Sequence, residues 1–260
     1  MVTAGAAEPS ALALPVAGRY ARPVIVVVGD PMLHPFDGHA PAVAGGPAAA
    51  IARACVLAGA TVQLAGRIGD DPAGDEILLS LTRDGIGHVA LLRNAGLSTA
   101  IGSAAADTPV SAVSADDAWT REASDVSDDG AQPAEEVDPP VVAWPSAPSS
   151  LPAEDLDLAL RYLVTFSVLV VAEPLGAATL AVAAESAAFS GAHLVIVGRP
   201  LDVPAAAAET VTVLEPPLTD PDGEFAAVVA RYAVALDGGT QPAEAFRSAL
   251  GSSGWEPATT

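Results

Sequence analysis

Residues 24–28 are all aliphatic and mostly β-branched, and they end in Gly29-Asp30. A short unbroken apolar run of this kind suits a strand covered on both faces, as in the middle of a parallel sheet. Similar runs recur at 61–65, 88–92, 167–172, 193–197 and 210–214. The stretches between them read as helices. An alanine-rich run to Ala58 closes on Gly59, and in 72–83 the residues Ile77, Leu78 and Leu81 mark one apolar face before Gly85. Further helices are predicted over 154–164, 176–190, 225–236 and 242–250, the fourth ending at Gly191 and the fifth at Gly238-Gly239. Asp71 and Pro72 suit the N-cap and first position of the second helix. Residues 34–44 and 66–74 read as loops. Strand–helix alternation predicts a single α/β domain with a mostly parallel sheet flanked by helices. No internal repeat is visible.

One segment breaks the pattern. Residues 104–150 are rich in Ala, Ser, Asp, Glu and Pro, with Arg121 as the only basic side chain. That composition buries too little apolar area to offset the entropy of ordering it, so an acidic, disordered-type insertion is expected. A remnant strand pair over 101–113 is expected at its start. Residues 1–22 read as a flexible leader, 23–255 as the domain and 256–260 as a loose tail.

Composition narrows the chemistry. Of 260 residues, 51% are hydrophobic but only 4% aromatic, so the core must be built from Ala, Val and Leu. The net charge is -21, and the eleven basic residues are all arginine. Nucleic acid and anionic membranes are poor partners for such a surface. The absence of lysine excludes Schiff-base chemistry and a P-loop lysine. A single cysteine, Cys55, excludes an internal disulfide and a cysteine-rich zinc site. The four histidines are not at metal-ligand spacing, and no metal site is expected. No apolar run reaches membrane-spanning length, and a cytoplasmic location is expected.

The stretch 44–87 carries a more specific signal. Gly45-Gly46, Gly66, Gly69-Asp70-Asp71, Gly74 and Asp84-Gly85-Ile86 fall in register with a GG turn, an Ala-rich helix, a strand, G-x-x-G-x-D-x-x-G and a helix ending in D-G-I. This pattern resembles the first signature of the pfkB, ribokinase-like carbohydrate kinases. Val27-Val28-Gly29-Asp30-Pro31-Met32-Leu33 also looks like the opening of the heptose-phosphate kinase branch, where an Asp often follows; His34 stands there instead. The resemblance implies a ribokinase-like fold. It also implies ATP and magnesium as cofactors, a small sugar or sugar phosphate as substrate, and a homodimer. It casts Asp30 as acceptor for a substrate hydroxyl and Gly45 and Gly46 as the substrate-side turn. Only fourteen residues separate Asp30 from Gly45, so the lid usual between them must be reduced.

The second signature departs from the family. There, D-T-x-G-A-G-D-x-F precedes a helix whose first amides hold a phosphate, and its last Asp is the general base. Here the residues are Leu218-Thr219-Asp220-Pro221-Asp222-Gly223-Glu224-Phe225. Anchored on Phe225, Gly223 takes the base position, as the remaining cofactor-side glycine, with Asp222 and Glu224 on either side as candidate catalytic carboxylates. Asp220 can instead cap the helix, and acids at this end disfavour a triphosphate. Three readings stay open: a homologue impaired in phosphoryl transfer that still binds sugar, an active kinase with Asp222 or Glu224 as base, and an interaction module that recruits a basic partner through the acidic insertion.

Overall fold

The computed structural model describes residues 24–34, 41–102, 142–145, 149–163, 165–199 and 211–251. The expected leader, the tail at 256–260, most of the acidic insertion and most of the 101–113 strand pair lie outside these residues.

Six strands form one wholly parallel sheet. In chain order they are β1 (Ile25–Val28), β4 (Val62–Gly69), β5 (Gly87–Asn94), β7 (Val168–Val171), β8 (His193–Val197) and β9 (Val211–Leu214). Their spatial order is β5-β4-β1-β7-β8-β9, so the aliphatic run nearest the N-terminus occupies the interior. Two short antiparallel pairs stand outside the sheet. They are β2 (Met32–His34) with β3 (Val43–Gly45), and β6 (Val142–Ala143) with β10 (Thr219–Asp220). The helices are α1 (Gly46–Leu57), α2 (Pro72–Arg83), α3 (Ala153–Arg161), α4 (Ala177–Ser190), α5 (Glu224–Asp237) and α6 (Pro242–Gly251).

The pleat of β1 divides the core in two. Ile25 and Val27 belong to a cluster with Ala48, Ile51 and Ala52 of α1 and Val228, Val229 and Tyr232 of α5. Val26 and Val28 belong to a second cluster, with Leu156 and Leu160 of α3 and Leu180 and Ala183 of α4. Tyr232, completely buried, satisfies its hydroxyl on Thr212 Oγ1 at 2.7 Å.

The expected elements appear with three adjustments. Residues 66–69, read as loop, continue β4, because the strand stays paired with β5 as far as Gly69 and Asn94. The loop over 34–44 holds a two-stranded hairpin at its ends, with Leu33 bridging to Ile101, so among the described residues the reduced lid is a short ribbon. The final residues of the expected insertion belong to the fold. Val142 is buried in β6, and Ser149 bridges to Leu175. Trp144 packs against the core beside it. Asp71 caps α2 as expected, accepting from the Gly74 N–H at 2.8 Å, and it also accepts from the Thr99 N–H and hydroxyl. Those bonds hold its carboxyl below the usual carboxylate range.

Candidate functional site

Parallel pairing aligns Val28 with Ala65 on one side and with Val171 on the other. Two residues further along each chain segment stand Asp30, Arg67 and Glu173. Register alone therefore sets these three at one level, beyond the carboxyl end of β1, where open α/β sheets receive ligands. The Arg67 N–H donates to Asp30 Oδ1 at 2.7 Å, and its Nη2 meets Asp30 Oδ2 at 3.2 Å. The same Nη2 donates to Ser150 Oγ at 2.9 Å, while Nη1 lies 3.7 Å from Asp155. Glu173 Oε1 accepts the Asp30 N–H at 3.1 Å. Arg67 and Glu173 are buried, whereas the Asp30 side chain keeps 24% of its surface exposed. Arg67 Nε has no partner among the described residues.

Burial dominates the titration of both carboxyls. It pushes Glu173 above the usual carboxylate range, opposed by the Asp30 N–H, the Ser149 hydroxyl and the Arg67 charge, and reinforced by the Asp30 charge. It pushes Asp30 up too, against the N–H, the charge and the side-chain hydrogen bond of Arg67. Both groups thus bind protons more readily folded than unfolded. Their contribution to stability is largest at low pH. It is lost as pH rises from the ordinary carboxylate values through the raised folded ones. Glu173→Gln keeps the oxygen that accepts the Asp30 N–H and removes the buried charge. Urea unfolding should show a more stable protein at pH 7.5, with the gain disappearing toward pH 4; lower stability at pH 7.5 would contradict this assignment.

Gly45 is the N-cap and Gly46 the first residue of α1, which packs on the face of the sheet opposite α3. Ala48, in the first turn of that helix, closes on Gly29, leaving room for a Cβ only 2.9 Å from its own. Gly46 has φ +82°. The neighbour of Gly45 is the His34 ring: a Cβ at Gly45 would fall 1.8 Å from its Cδ2.

The second-signature residues gather at the start of α5. Gly223, at φ +68°, is the N-cap in a left-handed conformation that glycine adopts without strain. Asp222 and Glu224 beside it are exposed. The first helical amides point at Asp220, which is 4% exposed. Its Oδ1 accepts the Phe225 N–H at 3.1 Å and its Oδ2 the Ala226 N–H at 3.0 Å. The expected cap is therefore present and uses both carboxylate oxygens. Nearby, a cleft of about 250 Å³ lies beyond β7, β8 and β9, lined by Trp144, Leu175, Arg199, Glu215 and Pro216 among others. Trp144 sets its ring edge-on to Phe225, with centroids 5.0 Å apart.

Residues that hold a nucleoside triphosphate need free amides or cations directed at the phosphates. Here the amides of Phe225 and Ala226 already serve a carboxylate, two further acids flank them, and the cleft offers Arg199 facing a lining that includes Glu215. These residues do not fit the group. No cluster of three or more metal-ligating side chains occurs among the described residues.

The structure thus collects Asp30, Gly45 and Gly46 near one end of α1, and Asp222, Gly223 and Glu224 at the start of α5. Glu173 and Arg67 were not among the candidate residues; both are buried, and Arg67 braces Asp30. A carboxylate directly after the strand run that ends at Ala172 was the available signal.

A sequence profile described as pfkB family carbohydrate kinase matches residues 21–200. No curated protein matches the chain. Among solved structures, phosphofructokinase-2 from Escherichia coli in complex with fructose-6-phosphate superposes with a TM-score of 0.51 at 13% identity, over 89% of this chain and 92% of that one. A PfkB protein from Polaromonas sp. superposes with a TM-score of 0.50 at 14% identity, over 86% and 92%. At these identities the likeness is one of fold. No helix among the described residues is long and apolar enough to cross a membrane.

Proposed function

Because the chain belongs to the pfkB family of carbohydrate kinases, we propose that it is a member impaired in phosphoryl transfer that retains a pocket for a small sugar or sugar phosphate. One observation carries the reading: the Asp220 carboxylate occupies the Phe225 and Ala226 amides. An anion held in place by the chain itself competes with any phosphate for the same donors, and it cannot diffuse away.

Asp222 and Glu224 do not restore the lost chemistry in this reading. Both are exposed to water, so neither gains anything from a closed site. They add negative charge at the positive end of the helix, which opposes phosphate entry and stabilises α5 instead. Gly223 then serves the turn and not a nucleotide.

The sugar pocket centres on Asp30 with Glu173 beneath it. A partly exposed carboxylate, braced by a buried guanidinium, is a fixed acceptor for a hydroxyl donor. Gly45 and Gly46 border it at the start of α1. The family's fold thus keeps its acceptor side while its donor side for the triphosphate is closed.

The test is a coupled ADP-release assay with magnesium-ATP over a panel of pentoses, hexoses and their phosphates, run beside thermal shifts with sugars alone. The expected outcome is no turnover above background, with a shift from at least one sugar. Turnover that disappears in Asp222→Ala or Glu224→Ala would overturn the reading in favour of an active kinase.

A further inference from the structure

Glycines at a ligand site usually make room for the ligand. At Gly45 the room is taken. The His34 ring sits so close that a Cβ on Gly45 would meet Cδ2 at 1.8 Å and Nε2 at 2.2 Å. The opposite wall is Gly102, where a Cβ would meet Cε1 at 2.8 Å and Nδ1 at 2.9 Å. Met32 closes the same slot: its Sδ would lie 3.1 Å from a Cβ on Gly102, and its Cγ 3.4 Å from one on Gly46. The imidazole is thus a plate held between two residues without side chains. Any side chain at 45 would strike it.

The slot adjoins the segment that leaves β1 through Asp30. Gly45 and Gly46 begin the helix whose Ala48 packs on Gly29, immediately before Asp30. The ribbon that carries His34 starts two residues after Asp30, and Met32 of that ribbon pairs directly with Gly45. The ribbon is held at few points: three pairs to β3, and the Leu33 N–H and C=O to Ala100 and Gly102 at 2.8 Å each. Leu33 anchors it from the other face, buried in the core, while Met32 and His34 face the slot and stay partly exposed. His34 makes no side-chain hydrogen bond to the described residues, and Gly45, Gly102 and Met32 pack around its ring.

We propose that His34 is a built-in occupant of the sugar pocket, an autoinhibitory side chain that a polyol must displace from the Gly45–Gly102 slot to reach Asp30 and Glu173. This rests on the sugar-pocket reading above and deepens it. A ring held this close to Gly45 leaves no space against that residue for a sugar. The chain therefore binds sugar only after spending the packing of His34, and its affinity is lower by that amount.

The experiment compares full-length wild type with His34→Ala. Calorimetric titration with D-ribose, D-fructose and fructose 6-phosphate should show at least a tenfold tighter Kd in the variant for at least one of them, with unchanged far-ultraviolet circular dichroism. Equal or weaker binding by folded His34→Ala overturns the proposal. Since emptying the slot could loosen the ribbon, a second measurement uses wild type alone. The imidazole proton resonances of His34, assigned by their loss in His34→Gln, should move from a packed to a solvent-like position at saturating sugar. Sugar binding that leaves them unmoved also overturns it. Failure here with no ADP release removes only the His34 proposal; ADP release removes the impaired-kinase reading whatever His34 does.

Discussion

Arg67→Met is expected to destabilise the fold by about 3 kcal/mol at pH 7.5, the largest effect of any single exchange near the mouth of the sheet. Methionine matches the length and apolar stem of arginine, so packing changes little. What is lost is the one cation among Asp30, Asp155 and Glu173. Removing one partner of a mostly buried pair leaves the other uncompensated, and here up to three carboxylates are left. The low end of the usual range applies, because Asp30 and Asp155 each keep about a quarter of their side-chain surface exposed. The deficit should shrink as pH falls toward 5, since protonation then neutralises groups whose folded pKa lies above the unfolded value. Arg67→Met with Asp30→Asn should recover part of the loss. Urea denaturation at the two pH values checks all three statements, and a pH-independent deficit would mean that lost packing, not charge, is responsible.

Asp220→Ala is expected to cost about 2–3 kcal/mol, more than an exposed helix cap, because two buried amides lose a charged acceptor together. Asp220→Asn should cost less, since the amide oxygen can still accept one of the two. The alanine variant carries a second signature. Its vacated amides form an anion site at a helix N-terminus. Sulfate should therefore raise the melting temperature of Asp220→Ala more than that of wild type, beyond the general effect of an excluded salt on both. Equal sulfate responses would show that the amides of Phe225 and Ala226 are not available even without the carboxylate.

The sheet was legible because its strands are aliphatic runs bounded by glycine and acidic residues, and strands buried on both faces have few other spellings. Asp71 and Pro72 announced the start of α2 through local chemistry, and Asp220 was legible as a cap for the same reason. Residues whose roles depend on distant neighbours were not. Arg67 and Glu173 acquire partners only when β4, β1 and β7 pair in register, and nothing near Glu173 in the chain points to Asp30. The hairpin of β2 and β3 is three residues on each side, too short for a periodic pattern. Gly45 was legible as part of a glycine turn, but the group that packs on it, His34, and the far wall, Gly102, come from separate segments. Val142 and Trp144 were absorbed into the acidic stretch because composition averages over a window, while β6 needs only two residues.

The central claim is that the start of α5 is already occupied from within. The direct measurement is the amide resonances of Phe225 and Ala226 in wild type, followed by ¹⁵N-edited NMR during titration with magnesium-ATP. Both should stay fixed through millimolar nucleotide, held by the Asp220 carboxylate. A saturable shift of these two amides with magnesium-ATP at neutral pH would contradict it.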